Sequence, residues 1–322
     1  MKKLVLASVA AIGVSSTLSA QAGILDSIFD RNKAKTEHPI VLIPGIYAFD
    51  TIAGVDYWYQ IPSALESEGA TVFVPKINSL DSSAMRGERL IEQLEEIRAT
   101  SNGSITRFNL IGHSQGGVTA RYVMNVRPDL VASVTTAHSP HKGSPVADVV
   151  TETAPDGTPH GDTNEAISNA MGDLVNLLSD NKQDEADVNA MLGEFNKAGS
   201  AAFNQQFPAG VPESACGQGP SEVTIDGHPI RLYSWSGTST ITTGLDLSDA
   251  MFATTSQAFD EGIKNDGITG QCSSHFGKVI KDDYNMNHID VNNHVLGLVS
   301  LFEISPESLF RNHANRLKKA GL

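Results

Sequence analysis

Cysteine, aromatic residues and positive charge are all scarce in this chain of 322 residues: 2 Cys, 6% aromatic, and 23 Lys and Arg against 37 Asp and Glu. So few cysteines exclude a disulfide-dense scaffold, and 28 Gly without a triplet period exclude a collagen-like repeat. The net charge of −14 includes no basic block, so phosphate backbones are repelled and nucleic acid is excluded as a partner. Long apolar runs are also missing, apart from one at the N-terminus, which excludes a polytopic membrane protein. There is no internal repeat and no low-complexity tract. What is there, with 40% hydrophobic residues, is an ordinary globular composition, long enough for one large domain with insertions.

At the N-terminus Lys2 and Lys3 precede an apolar stretch over residues 4–18, followed by Ser19-Ala20-Gln21-Ala22-Gly23. A charged start, a short apolar run and a small-residue site predict a secretory signal over residues 1–22, cut after Ala22. The run is interrupted by Gly13, Ser15, Ser16 and Thr17 and is short for a bilayer span, so the mature form is expected to hold no integral membrane segment. Export gives the two cysteines, Cys216 and Cys272, an oxidising context that favours one disulfide. Closing that loop is worth roughly 4 kcal/mol in the chain-entropy treatment.

The first half of the mature chain alternates short apolar runs with helical periodicity. Strands are expected at Ile40-Val41-Leu42-Ile43, Ala70-Thr71-Val72-Phe73-Val74, Phe108-Asn109-Leu110-Ile111 and residues 131–136. Helices are expected over 86–98, where Leu90, Ile91, Leu94 and Ile97 recur, and over about 115–126. That alternation argues for an α/β fold whose mostly parallel sheet is covered on both faces. After Gly143 the rhythm breaks, and it resumes as a strand at Ile230-Arg231-Leu232-Tyr233-Ser234-Trp235. Between them come a polar loop over 151–162, an amphipathic stretch over 164–179 and an acidic stretch over 180–187. Residues 23–322 thus read as one domain carrying a helical insertion over about 145–212.

Gly112-His113-Ser114-Gln115-Gly116 closes a predicted strand and opens a predicted helix. A nucleophile elbow needs that arrangement: the turn is tight, so Gly flanks the Ser, and the hydroxyl projects above the sheet edge. The Gln115 N–H, at the helix N-terminus, is placed for a developing oxyanion. A serine needs a histidine to take its proton and an acid to orient that histidine, in the chain order Ser, acid, His. The late histidines are His275, His288, His294 and His313, the last on a basic amphipathic C-terminal helix over 311–319. The acids nearby are Asp246, Asp249, Asp260, Asp266, Asp282, Asp283 and Asp290. Spacing does not choose among them.

From His38 to Leu322 the chain resembles the secreted, foldase-dependent triacylglycerol lipases of Pseudomonas and Burkholderia, which are α/β-hydrolases. The matching stretches include His38-Pro39-Ile40-Val41-Leu42, Gly54-Val55-Asp56-Tyr57-Trp58, Arg86-Gly87-Glu88, the elbow, Pro140-His141-Lys142-Gly143-Ser144, Ser214-Ala215-Cys216-Gly217, Asn265-Asp266-Gly267, Cys272-Ser273-Ser274-His275, Met286-Asn287-His288 and His313-Ala314-Asn315-Arg316. The resemblance implies a triad of Ser114, Asp266 and His288, with the backbone N–H groups of Ile46 and Gln115 as the oxyanion hole. It pairs Cys216 with Cys272. It also implies one structural Ca²⁺ on Asp246, Asp290 and the backbone carbonyls of His294 and Leu298, with His294 standing where the family usually has Gln; oxygen donors of both kinds suit the ion. One departure is Pro44-Gly45-Ile46 where the family usually has His-Gly after the first strand; Tyr47 and Ala48 also differ. Since Pro lacks an N–H but is not the implied donor, the departure bears on the expected rate and acyl preference more than on the reaction class.

The stretch over 164–179 corresponds to the family's lid, an amphipathic helix that covers the acyl groove in water and opens at an oil–water interface. The expectation is a secreted, extracellular, monomeric lipase that reaches the medium through the periplasm and acts on water-insoluble acylglycerols. A lipase-specific foldase and type II secretion machinery would assist it. The rival readings are a short-chain carboxylesterase and a non-catalytic lipid binder.

Overall fold

The structure, a computed structural model, describes residues 32–46, 51–52, 55–78, 80–152, 159–178, 191–244, 246–295 and 297–322. The predicted leader, Tyr47, Ala48 and the acidic stretch over 180–187 lie outside the described residues.

Strand β1 (Ile40–Ile43) shows how the core is laid out. All four of its side chains are buried, and they alternate: Val41 and Ile43 enter one apolar cluster, Ile40 and Leu42 the other. A strand covered on both faces must be apolar throughout, which is why it reads as a continuous run. β4 (Val72–Phe73) pairs parallel with one side of β1, and β5 (Phe108–His113) with the other. The parallel order continues through β6 (Val131–Ala137) to β8 (His228–Gly237). On the far side of β8, β7 (Glu222–Ile225) pairs antiparallel with its first half and β9 (Lys278–Tyr284) parallel with its second. A separate two-stranded ladder joins β2 (Thr51–Ile52) and β3 (Val55–Asp56).

Helices α2 (Ser83–Thr100) and α3 (Gln115–Val126) cover one face through Leu90, Leu94, Val123 and Met124. α1 (Ile61–Glu66) and α8 (Pro306–Lys319) cover the other through Ile61, Leu309, Phe310 and Ala314. The Ser82 side chain accepts the Met85 N–H and Ser305 that of Ser308, so both long helices start on a hydroxyl cap. α8 begins earlier than its basic stretch suggests, at a Pro in the first turn, and His313 lies fully inside, 2.8 Å from Thr135 Oγ1. It falls on the stripe of Leu309, Phe310 and Leu317, which decides its burial.

Two elements were not foreseen for a common reason. β9 carries Lys278, Lys281, Asp282 and Asp283, and β7 alternates exposed and half-buried residues. Outer strands face solvent and lose the apolar signature of the central ones. β4 is likewise shorter than the run over 70–74, because β1 pairs it only at Ile40 and Val41.

Between β6 and β7 the chain leaves the sheet as α4 (Pro145–Thr151), α5 (Pro159–Leu178), a turn at 191–196 and α6 (Lys197–Gln206). Ile167 and Met171 of α5 pack with Val146, Leu192, Phe195 and Ile268. Phe252 of α7 (Leu247–Thr255) joins the same cluster, so the insertion lies over the C-terminal edge of the sheet. A disulfide joins Cys216 to Cys272, with Cα atoms 4.6 Å apart. Among the described residues no helix is long and apolar enough to cross a membrane.

Candidate active site

β5 ends at His113 and α3 starts at Gln115, so the whole reversal rests on Ser114, at φ 54° and ψ −126°. That conformation is strained for a residue with a Cβ. It is held because the Ser114 N–H donates to the Ala137 carbonyl at 2.9 Å, and the flanking glycines let strand and helix approach closely around it. A Cβ on Gly112 would stand 2.2 Å from the Gly116 carbonyl oxygen, and one on Gly116 2.2 Å from that of Ile43. The Ser114 hydroxyl is thereby presented at the sheet edge.

His288 Nε2 lies 2.9 Å from Ser114 Oγ, and His288 Nδ1 lies 2.9 Å from Asp266 Oδ2. The Asp266 carboxylate is fully buried and completely bonded. Its Oδ1 accepts the N–H groups of Ile268 at 3.0 Å and Thr269 at 2.6 Å, and its Oδ2 also meets His138 Nδ1 at 2.8 Å. Burial alone would raise its pKa, but the positive charge available to His288 and the hydrogen bonds from His138 and His288 outweigh burial and hold it well below the usual carboxylate range. An ionised carboxylate only accepts, so His288 carries its proton on Nδ1 and turns a lone pair toward the Ser114 hydroxyl. The arrangement can deprotonate Ser114.

The other late histidines have different partners. His275 lies 2.9 Å from the Gly217 carbonyl and 2.8 Å from Asp282, beside the disulfide. His294 packs against Tyr57 and Asn292, and His313 is buried against Trp235. Asp249 is spent on the Thr243 and Gly244 N–H groups and on the Asn287 side chain.

Ile46 and Gln115 line one small cavity with Ser114, Met171, Leu192 and Ile268. The loop that carries Ile46 is gripped from two sides. Arg86, fully buried, donates to the carbonyls of Pro44 and, at 3.1 Å, Gly45. The Gly45 N–H donates to Tyr57 Oη at 2.8 Å. With the Gly45 carbonyl pinned, the Ile46 N–H sits on the opposite edge of a fixed trans peptide. Burial lowers the Arg86 pKa to about 10, which leaves the guanidinium charged at neutral pH.

Tyr57, His113 and His138 are site residues that sequence reasoning did not single out. Tyr57 Oη is 2.5 Å from His113 Nδ1, and His113 Nε2 is 2.7 Å from the His288 carbonyl. The carbonyl can only accept, so Nε2 donates and Tyr57 donates to Nδ1. A chain of bonds thus runs from Gly45 to His288. In the sequence these two histidines show only as polar residues at strand ends, His113 closing β5 and His138 following β6, which by itself does not mark a site.

Asp246 and Asp290 each use one carboxylate oxygen to hold the local backbone: Asp246 Oδ1 accepts the Ser248 N–H at 2.8 Å, Asp290 Oδ2 the Asn287 N–H at 2.9 Å. Among the described residues, the second oxygen of each is buried with no hydrogen-bond partner. Burial, reinforced by the charges of Asp246 and Asp249, pushes Asp290 up to about 7. Two unpartnered buried carboxylate oxygens repelling one another form a donor set suited to a hard cation.

The profile of the alpha/beta hydrolase fold matches residues 38–290. The chain belongs to the α/β-hydrolases. Over 288 residues the hydrolase is 46% identical to a triacylglycerol lipase of Vibrio cholerae serotype O1, covering 89% of this chain and 90% of that one. It is 36% identical over 299 residues to a triacylglycerol lipase of Pseudomonas fragi, covering 90% and 99%. With that of Burkholderia plantarii it shares 36% over 319 residues, covering 90% and 88%. Among solved structures, EstA from Clostridium botulinum matches with a TM-score of 0.58 at 14% identity, covering 88% of each chain. The mature lipase BlEst2 of Bacillus licheniformis matches with a TM-score of 0.57 at 15% identity, covering 81% and 89%. Those two carry the fold alone.

Proposed function

We propose that this hydrolase is a secreted triacylglycerol lipase in which Ser114, His288 and Asp266 form the catalytic triad. The observation that carries the reading is the unbroken contact from Ser114 Oγ through His288 to a buried, ionised Asp266, beneath an apolar insertion. Ser114 Oγ attacks the ester carbonyl as His288 Nε2 takes its proton, and Asp266 stabilises the imidazolium. The N–H groups of Ile46 and Gln115 receive the oxyanion. The imidazolium returns its proton to the leaving glycerol oxygen, and water then attacks the acyl-enzyme by the same route in reverse. Triacylglycerol lipase activity in relatives 36–46% identical over most of the chain supports the substrate class.

The cavity at Ser114 is about 20 Å³, room for little more than one water. So small a space supports the reading in which substrate enters as the insertion moves, with α5 acting as a lid at the oil–water interface. Asp246 and Asp290, with the His294 and Leu298 carbonyls, would hold one calcium ion. When bound, the ion neutralises the two carboxylates and ties the loop carrying His288 to the segment before α7. Residues 1–22 would direct export through the periplasm, with a lipase-specific foldase and type II secretion as partners and a monomer as product.

Fatty-acid release from emulsified tributyrin and triolein tests the reading, with wild type and Ser114→Ala side by side. Release from both esters that rises past the solubility limit of tributyrin and disappears in the variant is expected. Activity confined to dissolved tributyrin would make the protein a short-chain esterase, and no release from folded wild type would leave a lipid binder.

A further inference from the structure

A second imidazole occupies the triad carboxylate. His138 Nδ1 lies 2.8 Å from Asp266 Oδ2, the same oxygen that meets His288 Nδ1 at 2.9 Å. We infer that His138 is a positioning residue of the esterase reaction, an Nδ1–H donor that locks the Asp266 carboxylate so that His288 aims at Ser114. The inference rests on the triad proposed above.

Three observations make this a built feature. The residue adopts φ 53°, a conformation that costs energy for any side chain but Gly, yet its backbone is pinned there: the His138 N–H donates to the Trp235 carbonyl at 3.0 Å and the His138 carbonyl accepts Thr269 Oγ1 at 3.1 Å. The ring is fully buried, and among the described residues its Nε2 has no hydrogen-bond partner, so the Asp266 bond is its one hydrogen bond there. Space for it is reserved, since a Cβ on Gly237 would stand 2.9 Å from His138 Cε1. Strain, burial and an unpartnered nitrogen are all tolerated in return for one hydrogen bond to the catalytic carboxylate.

The chemistry follows from counting donors. Asp266 receives two backbone N–H groups on Oδ1 and two imidazole N–H groups on Oδ2. Four donors restrain both the plane and the position of the carboxylate. They also lower its basicity, so when His288 becomes an imidazolium the Nδ1 proton stays on His288. With His138 absent, Oδ2 is anchored by His288 alone, and the two can swing together away from Ser114.

The test compares wild type, His138→Gly and His138→Asn. Glycine relieves the strained backbone and removes the donor; asparagine tolerates positive φ and returns an N–H close to the Nδ1 position. Kinetics on a soluble p-nitrophenyl ester are normalised to sites titrated with an alkyl p-nitrophenyl phosphonate, and thermal melts confirm folding. His138→Gly should lose roughly tenfold or more in kcat with KM nearly unchanged, and His138→Asn should recover most of it. Wild-type kcat in His138→Gly overturns the inference, as does an asparagine variant as poor as the glycine one. Should the glycine variant not fold, proton NMR of wild type decides: two strongly downfield imidazole protons are expected, one lost in His138→Asn, and a single such proton overturns the donor role. If the phosphonate does not label Ser114, the triad fails first, and the inference with it.

Discussion

Ser114 carries both the strain of the elbow and the proposed nucleophile, so substitutions there separate stability from catalysis. Ser114→Gly is expected to raise stability by about 1 kcal/mol, because a residue without Cβ adopts φ 54° freely, while hydrolysis falls by roughly 10⁴-fold or more. A thermal melt and an ester assay on one sample check both. Arg86 acts on the opposite wall. Arg86→Met removes donors from the Pro44 and Gly45 carbonyls and leaves them buried, which should cost about 3 kcal/mol. The freed peptide should also lower kcat about a hundredfold with little change in KM, if Ile46 is the oxyanion donor. An unchanged kcat in folded Arg86→Met would place the second donor elsewhere.

At the level of elements, the loop from His288 to Leu298 joins the proposed base to the proposed calcium ligands. Chelation is expected to lower the melting temperature and the activity of wild type together. Asp290→Asn should abolish calcium dependence. At pH 8 the chelated variant should melt no lower than chelated wild type, because the substitution neutralises a carboxylate that burial pushes up to about 7. Equal calcium sensitivity in both proteins would move the ion away from Asp290. The insertion provides the other test at this scale. Met171 of α5 lines the Ser114 cavity and packs in one cluster with Ile167, so charging that face with Met171→Asp should loosen the packing and raise activity on dissolved esters relative to emulsions.

At the scale of the whole molecule, several imidazoles are buried and held neutral. His113, His141 and His313 are fully inside, and burial first, then the charge a protonated His288 or His138 would bring beside His113, Arg121 and Lys142 around His141, and Arg316 beside His313, holds all three well below their ordinary range. The unfolded chain binds protons at these sites below about pH 6.5 and the native protein does not, so their contribution is intact above that pH and is lost as pH falls. Each imidazole should add about 1.4 kcal/mol per pH unit to the loss. Denaturant unfolding between pH 7 and pH 5 measures the slope, and His313→Gln should reduce it by one proton.

How much of this was legible in the sequence depends on how local each cause is. The central strands, the elbow and the helix after it follow from short-range rules: continuous apolar runs for strands buried on both faces, and glycines where a tight turn lets backbone approach backbone. The outer strands β7 and β9 escaped because half of each faces water. Resemblance to a family, not periodicity, nominated Asp266 and His288 among seven acids and four histidines. Only the folded chain brings Ser114, Asp266 and His288 within hydrogen-bond reach across a separation of 174 residues, and only there do His275, His294 and His313 acquire other partners. Tyr57, His113 and His138 leave no local mark for a simple reason. A polar residue at a strand end looks the same in sequence whether it meets water or a buried carboxylate, and burial against distant segments alone decides which.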